Sequence, residues 1–221
     1  MTETVTGSAL LGVDVSAAGR LWLGREIDER YVLAACQRFG ISDILSRVLS
    51  ARDVPLQEIE GYLNPRLRDL LPDPLTLKSA DSAIARLIKA IKNKEKITVF
   101  GDYDVDGATS TSVLYRYFDS IGVKLDFYIP DRVTEGYGPN IPAFQSIIKQ
   151  GSTLVITVDC GTMSVAPLEY AKVNGLDVIV IDHHQTAETL PEACAVVNPR
   201  RQDDVSGLGH LAAVGVTFMV V

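Results

Sequence analysis

The sequence predicts a doubly wound α/β domain built on a mostly parallel five-stranded sheet and preceded by a small helical appendage. Two observations carry that expectation. From residue 79 onward, short runs rich in Val and Ile alternate with segments whose apolar residues recur at helical spacing, the pattern of parallel strands covered on both faces by crossover helices. Before residue 79 that alternation is missing, and Pro55, Pro65, Pro72 and Pro74 cut the chain into short pieces.

Residues 1–24, rich in Thr, Ser, Gly and Ala without a sustained period, predict a loosely docked leader whose one anchor is Trp22. A helix over residues 28–39 is stopped by Gly40, and Ser42 starts a second that runs to about Ala51. The proline-punctuated stretch leaves room for one brief helix, over residues 58–63. Behind the candidate caps Ser79 and Asp81, the residues Ile84, Leu87, Ile88 and Ile91 mark a longer helix. Strands are expected at residues 97–100, 125–129, 154–158, 178–181 and 193–197. Helices are expected at 109–121, 143–149, 165–173 and from about Leu211. The chain thus divides into a leader with its appendage at 1–78 and an α/β domain at 79–221.

With 221 residues, 47% of them hydrophobic, the chain can bury a sizeable core. A net charge of −7 excludes a general electrostatic sponge for nucleic acid without excluding a nucleic-acid enzyme. The acidity is local: residues 1–96 balance 14 basic side chains against 13 acidic, whereas residues 97–221 hold 7 against 15. Three cysteines without C-x-x-C spacing suggest neither a disulfide framework nor a structural zinc site. No apolar run reaches the roughly 18 residues of a membrane span, and the N-terminus does not read as a signal peptide. The expectation is a cytoplasmic protein with no membrane partner.

In open parallel sheets, ligands bind beyond the carboxyl ends of the strands. Those ends are where the acids fall. The first strand runs into GDYDVDG, with Asp102, Asp104 and Asp106; the third ends in Asp159; the fourth in Asp182, His183 and His184; the fifth in Asn198, Arg200 and Arg201. At an effective dielectric of about 20, a like-charged pair roughly 5 Å apart costs on the order of 3 kcal/mol. Several such pairs approach the whole stability of a domain, about 5–15 kcal/mol. Lys and Arg are absent from residues 97–115, so a cation is the better counter-charge. Asp and His without Cys suit Mn²⁺ or Mg²⁺, imidazole favours Mn²⁺, and the carboxylates suffice for two ions. Two-metal sites serve phosphoester hydrolysis.

Each motif also has a plainer reading. Asp104 or Asp159 can cap the helix that follows it. In an extended strand His183 and His184 project to opposite sides, leaving one of them merely packed. The hydroxyls of Thr109, Ser110, Thr111 and Ser112 open a helix and either receive a phosphate oxygen or cap it. In the loop RVTEGYGPN, Arg132 is placed to meet a phosphate and Tyr137 to stack on a base. Lys89, Lys92, Lys94 and Lys96 read as a solvated helix face, Cys160 as a small strand-end residue, Cys36 and Cys194 as core, and His210 as a cap or surface residue.

The set GDYDVDGATS, TVDCGT, DHH and VVNPRR, in that order, resembles the DHH phosphoesterase superfamily. Within it, NPRLRDLLPDP at 64–74, EGYGPN at 135–140 and LAAVGVTF at 211–218 look like the RecJ single-strand-specific DNA exonucleases, over a span from about residue 20 to the end. The resemblance implies a metal-dependent 5′→3′ exonuclease acting on single-stranded DNA in recombination and repair, with DNA repair proteins as partners. It makes Asp104, Asp106, Asp159 and His183 metal ligands, with Asp102 a ligand or adjacent to one. It gives His184 contact with the scissile phosphate, Asp182 the task of orienting the histidines, and Arg132 and Arg200 phosphate contacts. RecJ proteins continue beyond such a sequence to an ADVVPL-like segment with a further ligand aspartate, a second domain and an oligonucleotide-binding fold. The apolar ending TFMVV reads as a helix cut in mid-course, so the expectation is a fragment whose activity in isolation is open. Two alternatives stand: a DHH phosphodiesterase for short oligonucleotides or cyclic dinucleotides, and a catalytically inactive DHH binding module.

Overall fold

The computed structural model describes residues 9–221, in two compact units, one reaching to Leu71 and one running from Pro72 to Val221. In the first unit, α1 (Glu29–Phe39) starts where the Asp28 carboxylate accepts the N–H groups of Arg30 and Tyr31, and stops at Gly40, whose φ of 65° suits glycine. Helix α2 (Asp43–Ser50) is capped by Ser42. Ala35, Leu49, Val54 and Ile59 form their shared core. The proline-rich stretch holds two short α-helices, α3 (Ile59–Leu63) and α4 (Leu67–Leu70), and two 3-10 turns at Leu56–Glu58 and Pro74–Thr76, where one brief helix was expected. Trp22 is not an anchor. The residue is 61% exposed, and its main chain does the holding: the Leu10 N–H donates to the Trp22 carbonyl beside an Ala9–Leu23 bridge. Residues 1–8 of the expected leader lie outside the described residues.

The second unit runs α5 (Ala80–Asn93), β1 (Ile97–Phe100), α6 (Val105–Ser120), β2 (Leu125–Tyr128), α7 (Ile141–Lys149), β3 (Leu154–Val158), α8 (Val165–Val173), β4 (Asp177–Ile181), β5 (Ala195–Val197) and α9 (Ala213–Val220). All strand pairs are parallel, in the order β2-β1-β3-β4-β5. Successive strand residues face opposite ways. Ile97, Val99, Ile156, Ile179 and Val197 pack towards α5, α6 and α9, while Phe100, Val155, Val178, Val180 and Val196 pack towards α7 and α8. Both faces are therefore covered, which is why β1, β3 and β5 are buried along their whole length.

Some boundaries differ from expectation for local reasons. Helix α6 begins at Val105, four residues early, because Asp104 caps it through the N–H groups of Asp106 and Gly107. Ser79 precedes α5 at φ 65° and makes no side-chain cap; its hydroxyl accepts a hydrogen bond from Arg201 instead. Cys36 is half-buried and Cys194 exposed, so only Cys160 is a core thiol. Among the described residues, no helix is long and apolar enough to cross a membrane.

The order places β1 between β2 and β3, so the chain leaves β1 to one side and returns on the other. The loops after β1 and β3 part there, which opens the crevice where doubly wound sheets take their ligands.

Candidate metal centre

Three loops meet at that crevice. After β1, Asp102 is buried and Asp104 caps α6. The main chain of α6 can approach Asp102 only because residue 107 is glycine: a Cβ there would lie 2.6 Å from the Asp102 Cβ and main-chain N. After β3, Asp159 takes φ 60° and turns its carboxylate into the crevice, while Ser164 occupies the N-cap position of α8. After β4, Asp182 is 1% exposed. Its Oδ1 accepts the N–H groups of His183 (2.7 Å) and His184 (3.2 Å) and lies 2.8 Å from His184 Nδ1; its Oδ2 accepts the Thr162 N–H at 3.1 Å.

That turn overturns the expectation for the two histidines. Strand β4 ends at Ile181, and Asp182 gathers both following N–H groups, so the chain is no longer extended and the imidazoles do not alternate. Their ring centres lie 4.8 Å apart, with His183 Nε2 3.3 Å and His184 Nδ1 4.0 Å from Asp159 Oδ1. A carboxylate oxygen only accepts, so the 2.8 Å contact assigns the Nδ1 proton to His184.

Two sets of donor atoms result, each within 4.8 Å of one another: Asp159 with His183 and His184, and Asp102 with Asp104 and Asp159. Asp159 belongs to both. Its Oδ1 is buried without a hydrogen-bond donor, the condition of an oxygen shaped for a cation. Burial first, then the charges of Asp106 and Asp104, push its carboxyl up to about 7. Burial likewise raises Asp102, whereas the hydrogen bond from the Gly107 N–H holds Asp104 below the usual range. Burial of Asp182 acts upward but is outweighed by hydrogen bonds from Thr162 and His184, so its carboxylate stays ionised. Burial lowers His184, and Asp182 more than reverses it, leaving the imidazole raised. Carboxylate and imidazole donors converging on an unpaired buried oxygen fit a pair of hard or borderline divalent cations.

Asp106 stands apart from both sets. It lies 3.6 Å from His183 Nε2, yet its two oxygens accept the N–H groups of Ala213 and Val214 at the start of α9, each at 2.8 Å. The hydroxyls of residues 109–112 do not cap α6, which starts earlier on Asp104: Thr109 and Ser112 donate back to helix carbonyls, and Ser110 is buried. Tyr137 is 54% exposed and tethered through its hydroxyl. Its hydroxyl donates to the Asp159 carbonyl at 2.7 Å, and its ring meets His184 edge-on at 6.0 Å. Arg132 is exposed, with its guanidinium 5.1 Å over the Tyr103 ring, and Arg200 donates to the Gly209 carbonyl. Lys89, Lys92, Lys94 and Lys96 are exposed, as is His210. Sequence reasoning gave Thr162 and Asn198 no task, although both are buried polar residues in the loops that end β3 and β5. A polar residue directly after an apolar strand is the signal that could have found Asn198; Thr162, further along the loop after β3, has no such signal.

The family model described as "DHH family, N-terminal domain" matches residues 96–221. The single-stranded-DNA-specific exonuclease RecJ of Bacillus subtilis is 38% identical over 198 residues, covering 89% of this chain and 25% of its own. A crystal structure of exonuclease RecJ bound to manganese is 36% identical with a TM-score of 0.60, covering 68% of this chain and 37% of that one. RecJ of Thermus thermophilus in complex with Mn²⁺ is 28% identical with a TM-score of 0.68, covering 87% of this chain and 26% of that one. The chain spans between 25% and 33% of the length of the first curated relatives it matches.

Proposed function

The chain belongs to the DHH family, and on that premise we propose that it carries the catalytic core of a RecJ-type 5′→3′ exonuclease for single-stranded DNA. The observation that supports this most is the pair of donor sets sharing Asp159 at the switch point of the sheet. In this reading residues 79–221 are the phosphoesterase domain and residues 1–78 its appendage. Asp102, Asp104, Asp159 and His183 hold Mn²⁺ or Mg²⁺, two ions in all, with Asp106 at their edge. The relatives whose structures carry Mn²⁺ support that metal. Bound there, the cations supply Lewis-acid stabilisation of phosphate-oxygen charge and acidify a water.

The chain's own groups do the rest. Asp182 fixes the Nδ1 proton of His184 and sustains its positive form, so Nε2–H is the atom free to donate to a scissile phosphate oxygen. Tyr137, tied to Asp159 and lying against His184, limits the swing of that ring. Arg132, backed by Tyr103, and Arg200 offer guanidinium groups to the nucleic-acid backbone.

The test is incubation of the chain with Mn²⁺ and 5′-labelled single strands, beside duplex and dinucleotide substrates. The expected result is stepwise release of label from single strands, lost in a variant carrying Asp104→Ala and Asp159→Ala. Digestion that survives both changes, or a preference for dinucleotides over long strands, would overturn it.

A further inference from the structure

Asn198 follows β5 directly and is fully buried. Its Nδ2 donates to the His184 carbonyl at 3.0 Å and to Thr162 Oγ1 at 3.0 Å, while its Oδ1 accepts the Arg200 N–H at 2.9 Å. A carbonyl can only accept and a main-chain N–H can only donate, so these partners settle which end of the amide is nitrogen. One consequence falls on Thr162. Its Oγ1 accepts from Asn198, which holds Thr162 in place over the Asp182 carboxylate. The Thr162 N–H bonds the same carboxylate at 3.1 Å. Asp182 in turn holds His184 Nδ1.

We infer that Asn198 and Thr162 are positioning residues for His184, acting along the line Asn198 to Thr162 to Asp182 to the imidazole and, in parallel, through the His184 carbonyl. Three strand ends are thereby locked together: Thr162 belongs to the loop after β3, Asp182 and His184 to the turn after β4, and Asn198 to the end of β5. The arrangement explains why a turn with two adjacent histidines keeps both rings on one side. Asn198 fixes the main chain of the second histidine, and the Thr162 N–H on Asp182 Oδ2 keeps Oδ1 turned towards the ring. Asp182 without that support would remain charged and buried but free to turn. The inference depends on the phosphodiesterase reading only for what His184 does to a substrate, not for how it is held.

The test uses the whole 221-residue chain labelled with ¹⁵N-histidine, metal-free and at alkaline pH, with the tautomer of each imidazole read from long-range ¹H–¹⁵N correlation spectra. Wild type should show His184 as the Nδ1–H form. Thr162→Val, which exchanges the hydroxyl for a methyl group of similar shape, and Asn198→Asp, which exchanges the donor for an acceptor, should both move His184 towards a mixture of tautomers. Thr162→Ser, which keeps the hydroxyl, should restore the wild-type pattern, and His210 should not change in any variant. A His184 pattern unchanged in folded Thr162→Val would overturn the inference, as would Thr162→Ser shifting as far as Thr162→Val. If Asn198→Asp does not fold, the threonine pair decides alone. In hydrolysis of labelled single strands, Thr162→Val should lower kcat about tenfold with KM unchanged. A wild type that cleaves nothing would count against the exonuclease reading and leave the spectra to judge the positioning.

Discussion

Asp106 and Val214 stand 108 residues apart in sequence and are joined by a 2.8 Å hydrogen bond from the Val214 N–H to Asp106 Oδ1; Ala213 makes the companion bond to Oδ2. The last acid of GDYDVDG therefore serves as the cap of α9, which itself has no side-chain cap at Ala212. Helix N-termini favour a negative charge, and loss of a capping carboxylate costs about 0.5–2 kcal/mol. Asp106→Asn should lower the unfolding free energy by about 1 kcal/mol in urea titration. It should also speed hydrogen exchange at the Ala213 and Val214 amides, which identifies α9 as the element released.

Gly107→Ala should be more damaging than its size suggests. The added Cβ would sit 2.6 Å from Asp102, against main chain that cannot move aside without carrying the carboxylate with it. Overpacking of this kind costs roughly 1–3 kcal/mol. Calorimetric titration should show weakened Mn²⁺ binding in a chain that still folds, whereas Ala108→Gly on the exposed side of α6 should leave Mn²⁺ affinity unchanged.

Arg86 tests the scaffold away from the metal centre. Its side chain is 11% exposed and bridges Glu95 and Asp177 at 2.6 Å each. The hydrogen bond from Arg86 is the main reason the Glu95 carboxyl lies below its ordinary range. A depressed carboxyl stabilises the fold above its unfolded pKa, and that contribution is lost as pH falls through the depressed value. Arg86→Met should cost less than the roughly 3–5 kcal/mol of a fully buried pair, because Asp177 is part-exposed, and should flatten the acid limb of stability against pH. Metal affinity should not change.

Asp159 has the opposite sign. Its carboxyl is raised to about 7 in the metal-free fold, so the folded chain holds a proton that the unfolded chain releases near pH ~4. That contribution to stability is fully present below the unfolded pKa and is lost as pH rises through about 7. With chelator present, Asp159→Asn should therefore gain melting temperature over wild type at about pH 8 and much less at about pH 5. Excess Mg²⁺ should stabilise wild type at the higher pH and leave Asp159→Asn nearly unmoved.

The strands and the acids at their ends were legible in the sequence because both are local: β1, β3 and β4 are short, mostly apolar runs rich in Val and Ile, and Asp102, Asp159 and Asp182 stand within two residues of their ends. The facing of His183 and His184 was not, because the period of two stops at Ile181, where Asp182 binds the next two N–H groups and bends the chain. The cap on α9 and the bonds of Asn198 join residues far apart in sequence, which no window of neighbours contains. Trp22 misled for a related reason, since a large apolar side chain in a polar stretch is held here by its main chain and not by its ring.

Calorimetric titration of Mn²⁺ into the metal-free chain at about pH 8, above the raised Asp159 carboxyl, decides whether the donor sets sharing Asp159 form a divalent-cation site. Saturable binding approaching two ions per chain is expected, reduced in Asp159→Ala more than in Asp102→Ala, because only Asp159 belongs to both sets. Absence of binding at millimolar Mn²⁺, or binding that Asp159→Ala leaves intact, would contradict it.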